Sequence, residues 1–498
     1  MEIPAFIWLV VLPLAASPFV YLAGHAGKRL AQPKAAQAAG LIVLLAAWGP
    51  FVLAARELIA SPGASFTLET ISMQLDGLGL LLAAVALTLG TLTVLYSGPY
   101  LAAEAGQEKF YAMLVVMVGV MTGLGFAGDL FNLWIWFEAM AVSSYLLVAF
   151  YRELPNSLEA GFKYLVQNAA GSVLVLIGIG LVFTQTGTLN LSEIRAAAQP
   201  SPMMLAAGAL FVIGFGVKTA LVPMHTWLPD AHSQAPSGIS AMLSGVVIEA
   251  GLIAMLRALG ALSGTTHSWG ILLMTFGAVN MVVGNLMAFR QVQVKRMLAY
   301  SSLTHVGYML IGLGVSVYAG GAAGAQGSLF HLINHGLMKG LAFLAAGALL
   351  YGLHISIGNH APLTIADLSG GASRYPLAAL TLSLALLGLG GIPPLAGFMS
   401  KWQIFVAGMQ SHNLVIEGLI IFAALNSVFS LAYYAPLINA LYRKEQSLAV
   451  RTGAPLPGIM NVPLVLLAVS VIALGIWPGL MTWLTGPASA ALLSAFSL

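Results

Sequence analysis

About fourteen stretches of mainly apolar residues recur along the 498-residue chain, each close to the ~20 residues a helix needs to cross a bilayer. They begin near Ile3, Ala36, Asp76, Phe110, Leu130, Lys163, Pro202, Ser237, Trp269, Ala299, Ser328, Pro376, Leu414 and Val462. Between the second and third, Ser65–Gln74 alternates polar and apolar residues, which predicts a short hairpin or strand. The first stretch, Ile3–Ala23, is long for a signal-peptide core and has no basic residues before it, so it reads as a span. No connection is long or polar enough to separate soluble domains. The expectation is an all-α integral membrane protein.

Composition strengthens this reading. The chain is 59% hydrophobic and 7% charged, against about 25% charged in ordinary soluble domains. Cysteine is absent, which excludes disulfides, iron–sulfur ligation by this chain and cysteine nucleophiles. No GxxxxGK[ST] loop occurs and no GxGxxG sits in a soluble domain, so nucleotide chemistry has no home. No nucleic-acid partner and no cofactor is expected. The net charge of +3 says little about partners.

Charge distribution predicts orientation. With the N-terminus outside, the inner loops hold Lys28, Arg29, Lys34, Lys109, Arg152, Lys163, Arg290, Lys295, Arg296, Arg374, Arg443, Lys444 and Arg451. The outer side holds only Arg56, Arg195 and Arg257. This positive-inside bias places both termini outside a cell inner (plasma) membrane.

The remaining three cations lie inside apolar stretches: Lys218, Lys339 and Lys401. A buried amine is costly in lipid and persists mainly where it has a partner or a task. Kept from water, it can gain and lose a proton near neutral pH. Lys218 precedes LVP at Leu221–Pro223, and Lys401 follows GIPP at Gly391–Pro394. Pro223 cannot bond the carbonyl of Thr219, and Pro393 and Pro394 free those of Leu389 and Gly390. Both helices should therefore open, and opened backbone is tolerated at membrane depth only beside protein or water. A lysine snorkelling from a helix end is the plainer alternative, and it weighs more at Lys401. Charged, proline-broken spans at two places hint at inverted repeats.

Two isolated carboxylates complete the set. Glu138 lies in FNLWIWFEAM of the fifth span and Glu249 in LSGVVIEAGLIAML of the eighth. Each needs a cation or a proton, either for transport or to staple helices together. His331, His335 and Lys339 recur every four residues, which puts them on one helix face and suggests a proton or water path. The HxxxH pair lacks the glutamate of HExxH and a nearby acidic third ligand, so no metal site is expected. His225 and His305 are secondary candidates, since a lone helical histidine is more often a packing residue.

The runs DLFNLWIWFE, VKTALVPMHTWLPDAHSQAPSGISAML, KRMLAYSSLTHVGYM, HLINHGLMKGLAFL and GIPPLAGFMSKW, in this order, resemble the antiporter-like subunits of respiratory complex I and of Mrp-type cation/proton antiporters. The resemblance runs from about Asp76 to Leu441, and its FNLW–WFE form is nearest to the D-type member of the Mrp antiporters. It implies about 14 helices, with two inverted five-helix repeats broken in spans seven and twelve. The division is then 1–109 for three leading helices, 110–261 and 269–442 for the repeats, and 443–498 for the last helix. It implies a lateral proton path through a Glu138–Lys218 pair, then lysine and histidine relays including His331, His335 and Lys339, with Lys401 at the outlet. The family usually has a lysine where this chain has Glu249. A carboxylate there should attract Lys218 and opens a place for Na+.

The leading expectation is thus a proton-translocating subunit of an Mrp-type monovalent cation/proton antiporter, not itself an enzyme. Its partners would be other membrane subunits, protons, the bilayer and Na+ as a candidate co-ion. The alternative is the same module in a redox-driven complex, an NADH-quinone oxidoreductase or a membrane-bound hydrogenase. A purely structural scaffold is disfavoured, because apolar groups would serve it better than mid-span charges.

Overall fold

The computed structural model describes residues 3–60, 63–266 and 268–498. Thirteen helices among them are long and apolar enough to cross a membrane. The shorter apolar helix Pro376–Gly390 and its continuation Ala396–Met409 together form one more span. The fourteen follow the order read from hydropathy, but several start earlier than expected. The sixth begins at Pro155, the tenth at Val294 and the eleventh at Ala322. The turns before the expected starts carry Asn156 and Glu159, Lys295 and Arg296, or Gln326, which lowers local hydropathy without breaking the helix.

Two residues expected in loops are buried instead. Lys295 is buried in the first turn of the tenth span, where its Nζ donates to the carbonyl of Ala235. Arg257 is buried in the eighth span and pairs with Asp76 at 2.8 Å. Asp76 also caps the third span, accepting from the Gly79 amide at 2.8 Å, so one carboxylate ties two spans together. Strands Ser65–Leu68 and Ile71–Gln74 pair antiparallel. The hairpin docks where the fourth span meets the fifth: Ser72 N donates to Asp129 Oδ2 at 2.8 Å and Gln74 N to Phe126 O at 2.8 Å.

The same backbone device occurs twice. Ahead of the fifth span, Leu130 N donates to Leu189 O at 2.9 Å and Leu191 N to Gly128 O at 3.0 Å. Ahead of the tenth, Val294 N donates to Leu363 O at 2.9 Å and Ile365 N to Val292 O at 3.0 Å. Counting spans places these clamps on opposite faces of the membrane. The helix breaks match too. The seventh span stops at Thr219 with Ala220 left-handed (φ 57°), and the twelfth stops at Gly390 with Gly391 left-handed (φ 81°). Leu221 N reaches back to Gly216 O at 2.8 Å, and Ile392 N to Leu387 O at 3.0 Å. The chain resumes as Trp227–Gln234 and Ala396–Met409.

The last span is also in two pieces, Asn461–Ile476 and Thr482–Ala495. Gly475 lies directly against Pro394 O of the twelfth-span break, an approach that leaves no room for a Cβ. At the far end, Gly260 faces Ala495 and Arg195 donates to Ser494 O at 2.6 Å. Phe6 packs on Phe126 nearby (ring centroids 5.3 Å), so the described chain begins and ends on one face.

Candidate functional site

The site is a line of buried polar groups through the bundle. It starts at Glu138, half-buried on the fifth span. Its Oε1 accepts from Asn168 Nδ2 at 3.4 Å, and Asn168 Oδ1 accepts from Lys218 Nζ at 3.2 Å. Glu138 and Lys218 are therefore joined through an amide rather than as a direct ion pair. Lys218 also donates to Tyr164 OH at 2.7 Å and lies 4.5 Å over that ring. Asn168 and Tyr164 are four residues apart on the sixth span, so one helix face presents both to the amine.

Two side chains satisfy the seventh-span break. Trp227 Nε1 donates to Val217 O at 2.7 Å, and its ring stacks on Tyr164 with centroids 3.9 Å apart. Asn280 of the ninth span accepts from Val222 N at 2.8 Å and donates to Ala220 O at 3.2 Å. The freed backbone groups thus face protein rather than lipid, as opened helices in membranes require. His225 sits half-buried at this break, its ring 6.3 Å from Tyr300, and does not join the line.

Glu249 turns toward the eleventh span. It is fully buried, and its Oε1 meets His335 Nδ1 at 2.8 Å. No contact joins Glu249 to Lys218 among the described residues, and its second carboxylate oxygen has no hydrogen-bond partner among them. A π-turn, Leu243–Val247, stands immediately before Glu249. Such turns shift the register of a helix face and recur at functional sites. Gly245 lies against Gly336 O at 3.0 Å from a would-be Cβ, which lets the eighth and eleventh spans approach closely enough for the Glu249–His335 contact.

From His335 the line continues through histidines. The rings of His335 and His305 are 5.1 Å apart, and His305 Nδ1 meets His331 Nε2 at 3.0 Å. His331 Nδ1 meets Ser400 Oγ at 2.8 Å. His305, read from sequence as a weaker candidate, is central. His331 and His335 bond different partners and do not converge on one point. The next residue, Lys401, is buried; it donates to Leu389 O at 2.7 Å and Ser427 Oγ at 2.8 Å and lies 4.6 Å over Tyr308. Leu389 O is one of the carbonyls freed by the double proline. Lys339, one turn beyond His335, donates to Leu298 O at 2.6 Å and to Ser301 Oγ.

Sequence reading missed Tyr164, Asn168, Trp227, Asn280, Ser400 and Ser427, which do the connecting. No sequence signal marks them, because each acquires its role only when another helix brings its partner. It also missed His232, which is fully buried and stacked on Phe343 (4.6 Å, 10°), with neither ring nitrogen bonded to another described residue.

None of Lys218, Lys295, Lys339 and Lys401 has a carboxylate in contact among the described residues. An ammonium held only by neutral oxygens can lose its proton without breaking an ion pair. Glu249 and His335 can pass a proton across one 2.8 Å contact, and imidazoles accept on one nitrogen while donating from the other.

Paired helix breaks around a buried lysine–histidine–glutamate line make this an antiporter-like, ion-translocating membrane subunit. The chain belongs to the family described as NADH:quinone oxidoreductase/Mrp antiporter, transmembrane, which it matches over residues 127–430. It is 34% identical over 407 residues to NADH-quinone oxidoreductase subunit N 1 of Sorangium cellulosum, covering 78% of each chain. It is 30% identical to F(420)H(2) dehydrogenase subunit N of Methanosarcina mazei, covering 83% of each. Among solved structures it is similar to a chain of the archaeal membrane-bound sulfane sulfur reductase complex, with TM-score 0.86, 28% identity and 99% of each chain covered. A chain of the Mrp complex from Dietzia sp. DQ12-45-1b shares the fold, with TM-score 0.83, 21% identity, and 98% and 97% of the two chains covered.

Proposed function

We propose that this chain is a proton-translocating subunit of a redox-driven membrane complex of the NADH-quinone oxidoreductase or hydrogenase kind, rather than of an Mrp-type antiporter. The observation that carries proton translocation is the buried line Glu249–His335–His305–His331–Ser400, ending beside Lys401, in which every step is a hydrogen bond except the His335–His305 ring contact. The relatives named for redox enzymes at 30% identity or more support the redox setting, whereas the likeness to the Mrp chain, at 21%, speaks to fold alone.

In this reading Glu138, Asn168 and Lys218 form one loading station. Glu249, His335, His305, His331 and Ser400 form the central relay, and Lys401 the outlet. The spans of 110–261 and 269–442 act as the two inverted repeats, each breaking at one end of the line. Among the described residues no side chain bridges Lys218 and Glu249. The helices touch there, with Gly251 against Lys218 and Thr219, and a water molecule would carry that step. Lys295 and His232 lie off the line toward the positively charged side and would load Lys339. The charge bias supports both termini outside a plasma membrane. Na+ has no necessary role.

The test is proton movement by the purified complex in proteoliposomes. Adding its electron donor should acidify or alkalinise the lumen, and a Na+ gradient without donor should not. Na+-driven proton exchange in the absence of electron transfer would return the chain to the antiporter class.

A further inference from the structure

A cleft of about 650 Å³ opens between the end of the first span, the start of the fourth and the end of the fifth. It lies on the face opposite the described chain ends, where these helices meet the water boundary. That volume is in the range that buries most of a drug-sized ligand. Its floor is apolar, with Phe110 against Phe150 (centroids 5.4 Å) beside Met113 and Leu146.

Its rim carries fixed charges of both signs. Lys28 and Glu108 neutralise each other at 2.7 Å. Lys109, Arg152 and Glu153 have no ion pair among the described residues, and Glu104 faces only His360, at 3.6 Å. A rim of cations alone would select an anionic headgroup. Two free cations beside two carboxylates instead complement a zwitterion, a phosphate joined to a group that donates hydrogen bonds to carboxylates.

We infer that this cleft binds one glycerophospholipid with a primary-amine headgroup, of the phosphatidylethanolamine class. The phosphate meets Lys109 and Arg152, the ammonium meets Glu104 and Glu153, and the first acyl carbons lie on Phe110 and Met113. Basic pockets between transmembrane helices bind the phosphates of lipid headgroups, and the two carboxylates on this rim add a place for an ammonium. A quaternary ammonium cannot donate hydrogen bonds, so phosphatidylcholine fits worse, and phosphatidylglycerol offers the carboxylates only neutral hydroxyls, which bond them more weakly than an ammonium does.

The test uses the intact complex, stripped of lipid in mild detergent and titrated with dioleoyl phosphatidylethanolamine, phosphatidylglycerol or phosphatidylcholine. Native mass spectrometry then reads the lipid retained on this chain. One phosphatidylethanolamine should be retained in preference to the other two. The K109Q/R152Q variant should lower retention about 30-fold, and E153Q should narrow the preference over phosphatidylglycerol. All three residues are exposed, so the variants should fold, which gel filtration checks. Equal retention of phosphatidylcholine, or wild-type retention by the double variant, overturns the inference. Because the chain has no cysteine, a single M113C reports the other occupant: cross-linking to a neighbouring subunit in the assembled complex also overturns it.

Discussion

Glu249→Gln separates a relay from a staple. The substitution exchanges one carboxylate oxygen for an amide nitrogen at nearly constant volume. The glutamine amide can still accept from His335 Nδ1 across the 2.8 Å contact, so the helix pairing survives. What changes is the strength of one buried hydrogen bond, about 1 kcal/mol net for a typical intramolecular bond. That is well within a typical domain's stability of about 5–15 kcal/mol, so the complex should assemble. The proton-carrying function has no such reserve, because the amide cannot titrate. A positioned proton-transfer group contributes about 10²–10⁴-fold, so donor-driven proton flux should fall at least about 100-fold. The assay is fluorescence quenching of a pH dye in inverted vesicles during donor oxidation, with native gels confirming assembly. Flux within twofold of wild type would refute the relay role and leave Glu249 as a helix staple.

Other changes probe the remaining parts. Asn168→Leu should disconnect Glu138 from Lys218 and reduce vesicle proton flux at least about tenfold, with assembly unchanged on native gels. Arg257→Ala should leave Asp76 and the Gly125 carbonyl without their cation and lower stability by about 3 kcal/mol, read as an earlier thermal transition, while flux per folded complex persists. Gly397 lies against the Gly388 carbonyl with no space for a Cβ, so Gly397→Ala should force the two pieces of the twelfth span apart and reduce assembly, measured by native gel yield.

The spans, their order and both proline breaks were legible because each is a property of a single helix: hydropathy over about 20 residues, or a proline with no amide to give. The intramembrane charges were legible for the same reason, as they violate that hydropathy. Partners were not. Asn168, Ser400 and Asn280 are unremarkable until another helix brings a lysine, a histidine or an opened backbone to them. Lys295 and Arg257 sit near helix ends, so their sequence positions match those of loop residues, and only packing shows them buried. Nothing in LSGVV announces a π-turn, which lies where the eighth span packs against Gly336 and Ser302. That Glu249 would attract Lys218 was legible from charge signs, whereas its direct contact with His335 depends on side-chain direction, which sequence does not show.

The central claim is that protons pass along the histidines, and His331 is the position that isolates it. Both of its ring nitrogens are engaged, at 3.0 Å to His305 and 2.8 Å to Ser400, so His331→Phe keeps a ring of similar size and removes both contacts at once. The decisive measurement is protons moved per electron by the reconstituted complex carrying this single change. The account predicts an assembled complex whose proton-to-electron ratio falls sharply, and an unchanged ratio at an unchanged electron-transfer rate would contradict it.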